Sequence, residues 1–183
     1  MKIKLIATCL TAEQKQACIR LGVELAGEYA SSHGEITDGC VTDFYVHCFN
    51  SATLKLLAEL GVNRATLHPE LNLSQVRDIE KCIDTELVIY GKIPLMKLGN
   101  PQVSGYVKDR TGARFYAHGD MIYNSVPIFV ADKLLDVEKA GITHGRLVFT
   151  TESAEEVRTI VQAYLYRKPL KIDFTRGKFY SRV

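Results

Sequence analysis

Three apolar runs between Asp43 and Met96 each end in residues able to hold a ligand or move a proton. DFYVHCFNS closes with Asn50 and Ser51, RATLHPELN with His68, Glu70 and Asn72, and ELVIYGKIPLM carries Gly91 and Lys92. If the runs are parallel strands, their carboxyl ends share the face where α/β sheets bind ligands. The spacing therefore predicts one rim that gathers Asn50, Ser51, His68, Glu70, Asn72, Gly91 and Lys92. Asn50, Glu70 and Lys92 are its candidate catalytic residues.

Each candidate also has a plainer reading. Glu70 suits a general base or a metal carboxylate, and equally a negative charge at the start of the next helix. His47, His68 and Glu70 could form a His/His/carboxylate metal set. No HExxH spacing accompanies them, however, and hydrogen-bonded core histidines are the favoured reading, so no metal ligands are assigned. Asn50–Ser51 and Asn124–Ser125 follow extended runs; asparagine amides can orient a carbonyl or phosphate, and they are also common turn and cap residues. No GxSxG elbow supports either serine as a nucleophile. Cys48 beside His47 is not a reactive pair, because adjacent strand residues face opposite ways. Lys108, Asp109 and Arg110 form a KDR triplet whose arginine fork fits a carboxylate or phosphate, or which ties a hairpin surface.

The elements that must position these residues are legible. LGVELAGEY, LGVNRATLH and AGITHGRLVF repeat one pattern at 21–29, 60–68 and 140–149. In each, a helical stretch ends in glycine, a β-branched residue follows, and a strand starts. Glycine tolerates the left-handed backbone that closes a helix, so the repeat predicts βα units on a parallel sheet. Thr11 with Gln14 and Ser153 with Glu156 read as capping boxes; Ser51 and Ser74 are the cap candidates for two more helices. Strands are expected at Ile3–Thr8, Phe44–Cys48, Arg64–Leu67, Leu87–Tyr90, Ile128–Val130 and Arg146–Phe149, with a weaker candidate at Glu24–Tyr29. Ala30–Val41 reads as a loop, and Asn100–Asn124 as an inserted hairpin turning at Thr111–Gly112.

Composition bounds the remainder. The chain has 183 residues, 46% hydrophobic and 24% charged, with net charge +2 and no apolar run near the ~20 residues of a membrane span. No secretory signal is read at the start, so the cytoplasm is the expected compartment and no membrane partner is expected. Five cysteines without a CxxC pair argue against a disulfide framework or a standard zinc site. Tyr166–Val183 holds six basic residues against one acid, Asp173, interleaved with aromatics, a composition that fits RNA contact or a linker. The expected organisation is a βα-barrel-type domain over residues 1–165, with the hairpin at about 100–124, and a basic tail over 166–183.

FNSATLKLLAELGVNRATLHPELNLSQV, ELVIYGKIPLM, YVKDRTGARFY, YNSVPIFVADKL and DFTRGKFYSRV together resemble peptidase family U32, the collagenase-like proteases. Glu86-x-Val88-x-x-Gly91 is similar to the Glu-x-Phe-x-x-Gly core of that family's signature. The resemblance implies a TIM-type barrel and peptide-bond hydrolysis at the Asn50/Glu70/Lys92 rim. His68, Asn72, Gly91, Lys108, Asp109, Arg110, Asn124 and Ser125 would then contact substrate. Other relatives support oxygen-independent hydroxylation of RNA or of a quinone precursor, and some carry an iron–sulfur cluster. That implies two alternatives, an RNA-binding or assembly subunit and an inactive fragment of a longer member. The stretches where cluster-bearing relatives place cysteines, IPLMKLGNPQVSGYVKDR and FYAHGDMIYNS, contain none here, so no cofactor is expected. A TIM barrel typically needs ~250 residues and rarely fewer than ~200. The expected fold is therefore an incomplete or open α/β barrel, completed by a partner chain or a second copy, or left open.

Overall fold

The computed structural model describes residues 2–99 and 104–181. In chain order the elements are β1 (Lys4–Cys9), α1 (Ala12–Arg20), β2 (Glu24–Leu25), β3 (Val41–Thr42), α2 (Ser51–Glu59), β4 (Arg64–Thr66), α3 (Leu73–Asp78) and β5 (Asp84–Gly91). There follow β6 (Pro94–Lys97), β7 (Gly105–Lys108), β8 (Arg114–His118), β9 (Met121–Asn124), β10 (Ile128–Phe129), α4 (Leu134–Lys139), β11 (His144–Phe149) and α5 (Ala154–Tyr166). The three glycine joints are as the repeat predicts. Gly22, Gly61 and Gly141 all take left-handed φ, between +73° and +82°, and each turns a helix end toward a strand. Thr11 and Ser153 make the capping boxes read from sequence.

Six parallel strands form one curled sheet in the order β2-β1-β11-β5-β4-β3, and β10 pairs antiparallel with β5. The order runs cyclically through the chain, so β2 and β3, consecutive in sequence, are the two edges. A single parallel bridge joins them beyond β2: the Ala30 N–H donates to the Val41 carbonyl and the Asp43 N–H to the Ala30 carbonyl, both at 2.9 Å. The fold is thus mixed α/β with a half-barrel sheet, consistent with an open α/β barrel. Asn100–Asn124 contributes more than a hairpin. Its described residues, together with β6, build a four-stranded antiparallel sheet ordered β6-β9-β8-β7; Asn100 to Val103 lie outside the described residues.

Three local expectations are corrected. Phe44–Cys48 is not a strand: the Asp43 carboxylate accepts the Phe44 N–H, a 3-10 turn covers Phe44–Val46, and His47 is left-handed at φ 58°. Only Cys48 rejoins the sheet, by one bridge to Leu67. Asn50, not Ser51, caps α2, because its side-chain oxygen accepts the Thr53 N–H; the Ser51 hydroxyl accepts the Glu80 N–H instead. Asn72, not Ser74, caps α3 and forms a capping box with Gln75.

The sheet's two faces differ in chemistry. Ala7, Ala65, Leu67, Leu87, Ile89, Leu147 and Phe149 pack against the helices in one apolar core. The other, concave face carries Glu86, Arg64, Thr66 and Arg146. Glu86 is fully buried, and its carboxylate meets Arg146 Nε at 3.0 Å and Arg64 Nε at 3.2 Å. Thr66 and Tyr29 hydroxyls donate to it, and the Arg146 fork pairs with Asp43 at 3.1 and 3.2 Å. Arg146 also lies over the Tyr29 ring at 4.3 Å. Two carboxylates and two guanidinium groups thus neutralise one another, and they tie β3, β4, β5, β11 and the segment after β2 together. Glu86 is hydrogen-bonded by the two hydroxyls and Arg146 to Asp43, while the contacts of both Nε atoms with Glu86 are ion pairs without hydrogen-bond geometry; a buried charge is tolerated when paired in this way.

The described part of the basic tail packs on the domain. Thr175 bridges to Ile128, Phe179 is buried, and the Arg176 fork holds Asp132 at 2.6 and 2.9 Å. Arg167 likewise pairs with Glu138, so two of the tail's basic residues are already neutralised. Arg182 lies outside the described residues.

Candidate functional site

Two cavities flank the segment Asn124–Pro127, which leads from the antiparallel sheet back to β10. The larger, about 510 Å³, lies past the carboxyl end of β4 and is lined by His47, His68, Glu70, Tyr45 and Asn124 among others. Its wall is a stack of rings: His68 sits 4.2 Å from Phe49 and 5.4 Å from His47, centroid to centroid. The left-handed backbone of His47 is what turns its ring onto this stack. Such strain in a non-glycine residue costs of order 1–3 kcal/mol and is concentrated at functional positions.

His68 is half-buried, and its Nδ1 accepts the Glu70 backbone N–H at 3.3 Å. That bond leaves the ring proton of the neutral form on Nε2. Burial lowers the His68 pKa below its ordinary value, the Glu70 carboxylate pushes it back up, and His47 lowers it further. The imidazole is therefore neutral at pH 7 and offers one N–H donor, with an exposed carboxylate two residues along.

The second cavity, about 350 Å³, holds Lys92, Ser125, Tyr106, Thr151 and Glu152. Lys92 is 5% exposed, and its ammonium donates to Thr151 Oγ1 at 2.7 Å. It lies over the Tyr116 ring at 4.6 Å and the Tyr106 ring at 5.9 Å, the geometry of a cation held by aromatic faces. Among the described residues no carboxylate comes within ion-pair distance of it. Glu152 is occupied by the Tyr90 hydroxyl and the Thr150 N–H.

The expected single rim is thus divided. His68, Glu70 and Asn124 share the larger cavity, and Lys92 and Ser125 the smaller. Asn72 caps α3 and donates to the Ser181 carbonyl beside a third hollow. Asn50 is an exposed helix cap. Gly91 has φ +129°, and a Cβ there would lie 2.4 Å from the Val148 carbonyl oxygen, so its role is to let β5 pass close to β11. Lys108 ends β7, and Asp109 and Arg110 enter the exposed turn after it. Asp109 folds that turn itself by accepting the Thr111 and Ala113 N–H groups, not by pairing with Arg110.

Sequence reasoning quoted Glu86 only as a signature residue and did not connect it with Arg146, Arg64 and Asp43. A carboxylate inside an otherwise apolar strand was the available signal. Cys9 contacts Cys18, and among the described residues Cys40, Cys48 and Cys82 make no thiol contact with that pair. Among the described residues no group of three or more His, Cys, Asp or Glu is arranged to hold a metal ion. No described helix is long and apolar enough to cross a membrane.

No curated protein and no solved structure matches the chain. The model of peptidase family U32 does match it, over residues 42–171, a span that takes in Asp43, Arg64, Glu86 and Arg146 and most of the lining of both cavities, but leaves out β1, α1, β2 and Tyr29. Since that span is well over half of the chain, the protein belongs to peptidase family U32.

Proposed function

We propose that this chain hydrolyses peptide bonds in the larger cavity, on a shortened relative of the TIM-type barrel. The observation that carries the reading is the pairing of His68 with Glu70. The neutral imidazole, fixed by the Glu70 N–H on Nδ1, presents Nε2–H to a carbonyl oxygen, while the neighbouring carboxylate takes a proton from water. The water oxygen attacks the carbonyl carbon, the Glu70 proton passes to the leaving nitrogen, and the C–N bond breaks. Asn124 orients the peptide from the opposite wall, and Asn50 acts as a positioning residue through α2. Lys92, across the Asn124–Pro127 segment, receives an anionic group of the substrate, with Ser125 beside it.

The test is cleavage of gelatin and casein by the purified full chain. Activity that disappears in Glu70→Ala supports the reading, and cleavage equal in both proteins, or absent from both, overturns it.

A second reading is favoured by one face of the antiparallel sheet. The register places Tyr106, Tyr116 and His118 together with Lys108 and Arg114, and the Arg114 guanidinium lies over Tyr106 at 4.7 Å. Stacking rings interleaved with cations suit a single-stranded RNA. RNA affinity that falls steeply with salt supports this reading, because phosphate contacts release counterions; affinity indifferent to salt refutes it. The cytoplasm and a second copy completing the barrel belong to both readings.

A further inference from the structure

Cys9 and Cys18 lie outside the family match and outside both cavities. Cys9 is the last residue of β1 and half-buried; Cys18, on α1, is fully buried. Their sulfurs are 3.7 Å apart, in van der Waals contact. We propose that Cys9 and Cys18 form a redox-active dithiol site that reduces small-molecule disulfides, with Cys9 attacking and Cys18 resolving.

The division of roles follows from geometry. Of the two, only Cys9 has exposed surface by which a reagent can approach, while Cys18 is fully buried against it. The hydrogen bond between the two sulfurs supports the same order. Either sulfur can donate; with the Cys18 S–H as donor the contact lowers the Cys9 pKa, burial opposes this, Lys15 assists it and Glu152 opposes it, while the same contact and burial raise the Cys18 pKa. The thiolate is the nucleophile in such exchange.

In the first step the Cys9 thiolate attacks one sulfur of the reagent, whose S–S bond breaks, and one thiolate leaves with the electron pair. Cys18 then attacks Cys9 Sγ, its proton passing to the thiolate that departs. The Cys9–Cys18 bond forms and the second thiolate departs. Two protein thiols are oxidised and one disulfide is reduced to two thiols. The sulfurs must close from contact to ~2.05 Å at the end of β1.

The remaining three cysteines are internal references: Cys82 is exposed, Cys48 is buried with its thiol pushed up to about 11 by burial, and Cys40 is half-buried. The full chain is treated with oxidised glutathione, quenched with iodoacetamide and mapped by peptide mass. The expected product is a Cys9–Cys18 linked peptide, lighter by two hydrogens and reversed by dithiothreitol, while Cys82 carries a glutathione adduct. Cys18→Ser should trap the adduct on Cys9, and Cys9→Ser should leave Cys18 unmodified. A persistent adduct on Cys9 of the unmodified sequence, or recovery of both thiols while Cys82 has reacted, overturns the proposal. The linked peptide is read on the wild-type chain, so the test stands even if a variant fails to fold.

Discussion

Glu86 and Arg146, on β5 and β11, meet at 3.0 Å on the concave face of the sheet, with 0% and 2% of their surfaces exposed. Arg146 reaches on to Asp43 and Glu86 to Arg64, so one carboxylate governs two arginines. Replacing a buried pair by apolar residues can be harmless, but removing one member leaves an uncompensated charge. Glu86→Gln keeps the shape and deletes that charge. We expect it to lower unfolding free energy by about 3–5 kcal/mol in urea titrations. A loss below about 0.5 kcal/mol, the usual range of a surface change, would show that the cluster does not hold the sheet.

Gly91 makes a sharper geometric demand. At φ +129° and with Val148 O only 2.4 Å from an added Cβ, it satisfies two constraints that alanine violates. Gly112, at φ +87° in the exposed turn, has open space around its Cβ position. Gly91→Ala should therefore cost clearly more than Gly112→Ala, for which about 1–2 kcal/mol is expected from backbone conformation alone. Thermal unfolding of the two variants compares them directly; equal losses would mean that β5 does not need to approach β11 so closely.

The contrast between these two glycines also marks what a sequence can disclose. Gly22, Gly61 and Gly141 were readable because a left-handed helix end is a local requirement, met by the residue at that position. The capping boxes at Thr11 and Ser153 were readable for the same reason. Phe44–Cys48 misled, because alternating apolar residues also fit a 3-10 turn whose left-handed exit, His47, carries a side chain. Asn50 and Asn72 were passed over as caps for neighbouring serines, since asparagine and serine cap almost equally well. The Glu86 cluster was invisible as a cluster: its members come from five separate segments, and only the curl of the sheet brings them together.

His68 gives the proposed chemistry a pH signature. Burial holds its pKa below the ordinary histidine value, and the Glu70 carboxylate partly restores it. The neutral imidazole is the working form, so cleavage should persist through pH 6.5 and fall only as pH drops through the depressed value. Glu70→Gln removes the restoring charge. The His68 titration followed by NMR should then move to still lower pH, and a move upward would contradict the placement of Glu70 beside the ring. His68→Gln retains an N–H donor that does not titrate, so any residual cleavage by it should lose this acid limb.

Asp132 and Arg176 make the attachment of the C-terminal segment depend on acidity. The Arg176 guanidinium, bonded to both carboxylate oxygens, holds the Asp132 pKa below its ordinary value against a smaller opposing effect of burial. A carboxyl depressed in the folded state stabilises it fully above the unfolded-state value, ~3.9, and loses that contribution as pH falls through the lower folded value. The same guanidinium donates to the Phe129 carbonyl, while the Phe129 N–H donates to the Thr175 carbonyl and the Thr175 N–H to the Pro127 carbonyl. Acidification should thus loosen the contact of residues 174–177 with β10 before the sheet itself unfolds, because the Arg176–Asp132 pair anchors this stretch while Phe179 and the Leu73–Phe179 backbone bond hold the residues beyond it. Hydrogen exchange at the Phe129 and Thr175 amides, extrapolated to common intrinsic rates, should accelerate as pH falls below about 4, while amides of β5 and β11 stay protected. Asp132→Asn should show the faster exchange already at neutral pH and lose the pH dependence. If the two amides instead open together with β5 at every pH, the segment is an integral part of the sheet's cooperative unit and Asp132 does not control its release.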